Sequence, residues 1–103
     1  AQDDAEAVRW YRLAAAQGDA DAQYNLGCMF DDGQGVAQDD AEAVRWYRLA
    51  AAQGHAAAQF SLGFMFEKGR GVAKDTAEAI RLYRLAAAQG NAYATAALQR
   101  LGA

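Results

Sequence analysis

The chain holds a single cysteine, a single histidine, no long apolar run and no excess of basic residues. One cysteine, Cys28, excludes an internal disulfide, and its thiol is read as a small apolar packing group. One histidine, His55, leaves nothing to pair with in a histidine-based site, and Ser61, Thr76 and Thr95 have no base beside them. His55 stands between Gly54 and Ala56, where the other copies of the pattern below carry Asp19 and Asn91, so it reads as a helix-cap residue and not as a catalytic one. No apolar stretch approaches the roughly 20 residues of a membrane span. Ten Lys and Arg against 13 Asp and Glu give a net charge of −3, which argues against non-specific nucleic-acid binding, since that needs clustered cations. Asp31-Asp32-Gly33-Gln34-Gly35 lacks the alternating acids and closing glutamate of a calcium loop, and Glu67-Lys68-Gly69-Arg70-Gly71 breaks it with two cations. Gly-x-Gly with no strand before it is not a phosphate loop. No cofactor, metal or enzymatic activity is expected.

What the chain does have is repetition. AEAVRWYRLAAAQG runs from Ala5 to Gly18. With its lead-in AQDD it returns unchanged at Ala37 to Gly54, and with a few substitutions at Ala73 to Gly90. A fixed step of 36 residues means stacked helical units. Much of the 53% apolar content is alanine, so the chain relies on helix propensity and on a few large residues: Trp10, Trp46, Tyr11, Tyr47, Tyr83, Phe30, Phe66 and the leucines.

The long units predict helices over 3–17, 39–53 and 75–89. Asp3, Asp39 and Asp75 stand as N-caps, with Glu6, Glu42 and Glu78 three residues on, as in a capping box. Ala7, Val8, Tyr11, Ala14 and Ala15 recur at helical spacing, with Trp10 at the edge of the stripe, and Glu6 and Arg9 form an i,i+3 pair. Gly18, Gly54 and Gly90 end these helices in the left-handed conformation. The arginines at 9, 12, 45, 48, 81 and 84 repeat with them and are expected to pair with nearby acids on a solvated face. Shorter helices are predicted at 20–31, 56–67 and 91–101. The first two run into Gly33-Gln34-Gly35-Val36 and Gly69-Arg70-Gly71-Val72, which read as turns whose valine plugs the helix seam. The expected fold is all-α: a right-handed α-α solenoid of six helices in antiparallel pairs.

Ala20, Ala22, Leu26-Gly27, Phe30, Gly33, Gly35-Val36, Asp39, Ala43-Val44, Trp46-Tyr47, Ala50-Ala51 and Gly54, and their counterparts up to Gly90, resemble the Sel1-like repeat, a relative of the tetratricopeptide repeat with a longer loop in each helix pair. The resemblance covers essentially the whole chain. It implies a short helix A carrying Leu-Gly and a long helix B carrying Trp-Tyr. The single domain is then a lone helix B (1–18), two full repeats (19–54 and 55–90) and a terminal helix A (91–103). Ala37 and Ala73 stand where the family usually has proline, and Leu98-Gln99 replaces Leu-Gly in the last helix. Disulfides used by cysteine-rich members are ruled out here. The resemblance further implies an adaptor of bacterial type. The chain opens inside a repeat and is expected to be a fragment of a cytoplasmic or periplasmic parent.

The two full repeats differ at eight positions in or beside helix A, while residues 1–18 and 37–54 are identical. At about 100° per residue the variable positions share an arc of roughly 120°, opposite Ala20, Ala22, Gln23, Leu26, Gly27, Met29 and Phe30. In tetratricopeptide arrays that arc lines the concave groove. Carried over, the groove holds Asp21, Tyr24, Asn25, Cys28, Asp31 and Asp32, then Ala57, Phe60, Ser61, Phe64, Glu67 and Lys68, then Tyr93, Ala96 and Arg100. Three readings of this face stand side by side: plain solvation, rings that pack on the next helix A and hold the curvature, and a surface for a peptide or protein partner. The aromatic rings favour the last, and the acids at one end suit a basic partner. The expected function is a non-catalytic interaction scaffold. The alternative is self-assembly, in which the open repeat ends stack head to tail as a homo-oligomer.

Overall fold

The computed structural model describes residues 3–103. Six helices follow one another: α1 (Asp3–Ala16), α2 (Ala20–Asp32), α3 (Asp40–Ala52), α4 (Ala56–Lys68), α5 (Thr76–Ala88) and α6 (Ala92–Leu101). The described residues contain no strand. Each helix packs on the next in the chain, giving an elongated all-α solenoid of 42 × 23 × 21 Å. Helices α1, α3 and α5 are the B type, and α2, α4 and α6 the A type.

The turns from B to A are built three times in one way. At the second, Gly54 takes a φ of 88°, its N–H donates to the Ala51 carbonyl, and the His55 N–H donates to that of Ala50. This double bond pattern satisfies the last carbonyls of the helix. The residue that closes one helix then opens the next. Ala22 N–H donates to Asp19 Oδ1, Ala58 N–H to His55 Nδ1 and Ala94 N–H to Asn91 Oδ1, at 2.9 to 3.1 Å. His55 is thus a cap, as its position in the repeat predicts.

The turns from A to B use glycine for a different reason. A Cβ on Gly35 would lie 2.6 Å from the Asp4 carbonyl oxygen, and one on Gly71 would lie 2.5 Å from that of Asp40. The loop is therefore seated on the first turn of the preceding B helix, and Val36 and Val72 pack half-buried beside it. Asp39 and Asp75 cap α3 and α5 by accepting from the Glu42 and Glu78 N–H groups. The reciprocal half of the capping box is absent. The Asp39 N–H already donates to the Phe30 carbonyl, so Glu42 turns to Arg45 and the Trp46 indole. Asp3 differs from the expectation: it lies within α1, as its first described residue.

Two features lock A to B within a repeat. Gly27 and Gly63 leave room for the Tyr47 and Tyr83 rings, which a Cβ would meet at 2.7 and 2.8 Å. Beside each contact runs a ladder of glutamines that residue pattern alone assigns to apolar packing. Buried Gln23 donates to the Ala15 carbonyl and accepts from Gln53, which also donates to the Gly18 carbonyl. Gln59, Gln89, Ala51 and Gly54 repeat the arrangement. Leu26, Leu62, Phe30, Phe66 and Met65 fill the space between layers.

Candidate functional site

The variable arc of the A helices forms one surface, but its members have unequal duties. Tyr24 stacks on the His55 ring at 4.9 Å and lies 5.9 Å from Tyr47. Burial pushes its phenol up to about 12. Phe60 sits 5.6 Å from Tyr83 and 5.8 Å from Tyr93. These rings do pack on their neighbours, while Tyr93 keeps 75% of its surface exposed. Asn25, Cys28, Ala57, Ser61 and Phe64 are half-buried, and Asp21, Asp32, Lys68, Ala96 and Arg100 are exposed. Lys68 lies 5.7 Å from the Phe64 ring centre.

Two of the acids are not available to a ligand as free carboxylates. Glu67 is buried. It accepts from Tyr83 Oη at 2.7 Å and from both terminal nitrogens of Arg100 at 2.7 and 2.9 Å, and Lys68 Nζ is 3.6 Å away. The Arg100 hydrogen bonds, with help from Tyr83, hold its carboxyl down at about 2. Asp31 accepts from Tyr47 Oη at 3.1 Å and from Arg70 at 2.6 Å, and Arg70 also bonds Asp40. Glu67 is thus an internal anchor where the sequence pattern places it on the open surface. Arg70, Tyr47 and Tyr83, absent from the expected face, form its floor and clamp. Arg70 lies in a loop and its acids are 30 and 39 residues away in sequence, so no local signal marks it.

Two adjoining cavities flank the Phe60–Phe64 ridge of α4. One, of about 230 Å³, is lined by Asp31, Phe60, Ser61 and Phe64. The other, of about 300 Å³, is lined by Phe60, Phe64, Tyr83, Tyr93, Ala96, Ala97 and Arg100. Each has the size of one bulky side chain or two. The B face carries its own furrows, of about 520 and 610 Å³, both bordered by Arg48, and the exposed Leu13, Leu49 and Leu85 recur there. Arg9, Arg45 and Arg81 pair with Glu6, Glu42 and Glu78 as expected. Arg12 and Arg48 instead lie over the Phe30 and Phe66 rings, at 5.5 and 5.3 Å.

Both nitrogens of His55 are engaged. Nδ1 accepts from a backbone N–H, so Nε2 carries the proton and donates to Asp21 Oδ1 at 2.8 Å. Among the described residues no three His, Cys, Asp or Glu side chains are grouped to hold a metal ion, and no helix is long and apolar enough to cross a membrane.

Sequence comparison matches the Sel1 repeat at residues 1–19, 20–55 and 56–91. No curated protein matches. Among solved structures, a protective antigen of uropathogenic Escherichia coli displaying an SLR fold is 47% identical at a TM-score of 0.86, over 87% of this chain and 19% of the antigen. A Sel1 repeat protein from Oxalobacter formigenes is 44% identical at a TM-score of 0.82, over 84% of this chain and 36% of that one. The cysteine-rich protein B of Helicobacter pylori shares the fold at 22% identity and a TM-score of 0.83, over 88% of this chain and 68% of that one. The chain thus spans about a fifth of the antigen and about a third of the Oxalobacter protein.

Proposed function

Because the chain belongs to the Sel1 repeat family, whose members are in general protein-interaction scaffolds, we propose that it is a non-catalytic scaffold holding a segment of a partner protein across its A helices. The observation that carries this reading is the pair of cavities on either side of Phe60 and Phe64. A segment with two bulky apolar side chains spaced to straddle that ridge would fill both. Buried aromatic anchors of this kind supply most of the affinity in protein interfaces. Asp31 and Glu67 already hold arginines, so the outward-facing acids are Asp32 and Asp21, the latter with one oxygen engaged by His55. They favour a cation on the partner at the α2 end. The net negative charge supports protein over nucleic acid as the partner class.

The test is a peptide display library selected on the intact chain. Phe64→Asp and Ser61→Arg should abolish binding of the selected peptides while leaving the helical circular dichroism unchanged. Asp32→Asn should weaken binding and flatten its salt dependence. Peptides that bind the Phe64→Asp and Ser61→Arg variants as well as the native chain would place the interaction elsewhere and overturn the proposal.

A further inference from the structure

The furrow of about 520 Å³ on the B face lies between α3 and α5. Buried Leu62 of α4 is its floor, Arg48 stands on the α3 wall, and Glu78, Arg81, Leu82 and Leu85 stand on the α5 wall. Ten residues line it. One repeat earlier, between α1 and α3, the corresponding positions carry the same amino acid in nine cases, and the tenth is Trp46 in place of Leu82. Two neighbouring intervals thus share their walls and floor and differ by one side chain.

That side chain is the one the first interval closes over. Trp46 is 7% exposed, while Trp10, in an identical stretch, is 61% exposed, so the interval and not the helix covers it. The Trp46 indole N–H donates to Glu42 Oε1 at 3.2 Å, and the Arg45 guanidinium lies over its ring at 4.5 Å. A buried indole asks for both, an acceptor for its N–H and a cation or apolar cover for its face. Leu82 supplies neither ring nor N–H, so in the second interval Arg81 folds onto Glu78 with two hydrogen bonds, at 2.9 and 2.6 Å. The furrow also keeps an unanswered charge. Among the described residues no carboxylate pairs with Arg48, which rests over the Phe66 ring and acts on Glu78 only at longer range.

We propose that the α3–α5 furrow is a docking site separate from the A-helix groove, and that its occupant is a tryptophan side chain of a partner protein with an aspartate or glutamate beside it. The incoming indole takes the place that Trp46 takes one repeat earlier. Its N–H donates to Glu78, Arg81 swings over its face as Arg45 lies over Trp46, and the neighbouring carboxylate pairs with Arg48. The Glu78–Arg81 pair is exposed on its arginine side, so releasing it costs little. A segment of chain suits the site because a second furrow adjoins across Arg48, lined mainly by Ala41, Val44, Leu49 and Val72, and gives the segment an apolar track to follow.

The test is an amide-shift titration of the isotope-labelled intact chain with the end-blocked peptide Gly-Asp-Trp-Gly. Saturable shifts are expected at Ala51, Ala52, Gly54 and Leu82, and the Phe64→Asp variant should bind the peptide as the native chain does. Leu82→Trp should keep the helical circular dichroism, because tryptophan already stands among the same neighbours at 46, and should weaken binding about tenfold or more by filling the furrow. Arg48→Gln should weaken it several-fold and erase the preference for this peptide over Gly-Asn-Trp-Gly. Shifts confined to the A helices, no saturable binding, or native affinity in either furrow variant would overturn the proposal. Indole-3-acetate that binds as tightly as the peptide would assign the furrow to a small aromatic acid and overturn the protein occupant. Light scattering should give a monomer; a dimer lost on Leu82→Trp would seat the exposed Trp10 of a second copy there and overturn it equally.

Discussion

Glu67 sits among Tyr83, Arg100 and Lys68, and removing its charge would leave the buried Tyr83 hydroxyl and the Arg100 guanidinium poorly met. Its folded-state value of about 2 lies below the 4.5 of an ordinary glutamate, and the Arg100 hydrogen bonds are the main cause. A depressed carboxyl stabilises the fold fully above the unfolded value and ceases to do so as pH falls through the folded one. The contribution should therefore be complete above about pH 4.5 and be lost between there and about pH 2. With Arg100 half exposed to solvent, solvent screening reduces the size of this contribution but not its sign. Glu67→Gln should lower the unfolding midpoint at pH 6 and flatten its fall across that acid window. Thermal unfolding of both proteins from pH 6 to pH 2.5 measures this; parallel curves would show that Glu67 is not the titrating anchor. Asp31 shares the geometry but takes its arginine from a loop and not from a helix, so one clamp has two different sources along the chain.

At the scale of the element, the B-to-A turn does the most with the fewest residues. His55 closes α3 through its backbone N–H, opens α4 through Nδ1 and packs its ring on Tyr24. Asn91 performs the two capping duties with an amide. His55→Asn should accordingly keep most of the stability, while His55→Ala should cost about 1 kcal/mol or more. Urea unfolding of the pair decides it, and equal losses would mean that the Tyr24 contact matters more than the cap. These turns were legible because capping depends on neighbours three or four residues away, and a 36-residue period shows the same cap three times. The packed side of helix A was legible for the same reason, since Leu26, Gly27 and Phe30 return unchanged as Leu62, Gly63 and Phe66. The glutamine ladder and the Arg70 clamp were not. Their partners lie 30 or more residues away, and a glutamine on an apolar stripe looks the same whether it bonds or merely fills space. The variable arc of helix A was legible from the sequence, but the burial of Glu67 and its engagement by Tyr83 and Arg100 were not, because which acids are spent internally is settled only by the fold.

For the whole molecule, an array in which each helix touches chiefly its chain neighbours should behave as a row of coupled units and not as one block. Its local stability is then set by how many neighbours a unit has. The identical sequences of α1 and α3 isolate that variable without a mutation, since intrinsic amide exchange rates, helix propensity and side chains are the same in both. What differs is cover: α3 lies between α2 and α4, while among the described residues α1 packs chiefly on α2. Covering about half of an indole at roughly 25 cal/mol/Å² is worth about 3 kcal/mol. Opening free energies that differ by this much correspond to exchange rates about a hundredfold apart. Hydrogen exchange followed by mass spectrometry should therefore show the amides of Val8 to Ala15 exchanging about a hundredfold faster than those of Val44 to Ala51. Adding an A-type helix ahead of α1 should close the gap from the α1 side alone. Equal protection in the unmodified chain would mean that the solenoid opens as a single cooperative unit, and that the exposed Trp10 face costs the fold nothing locally.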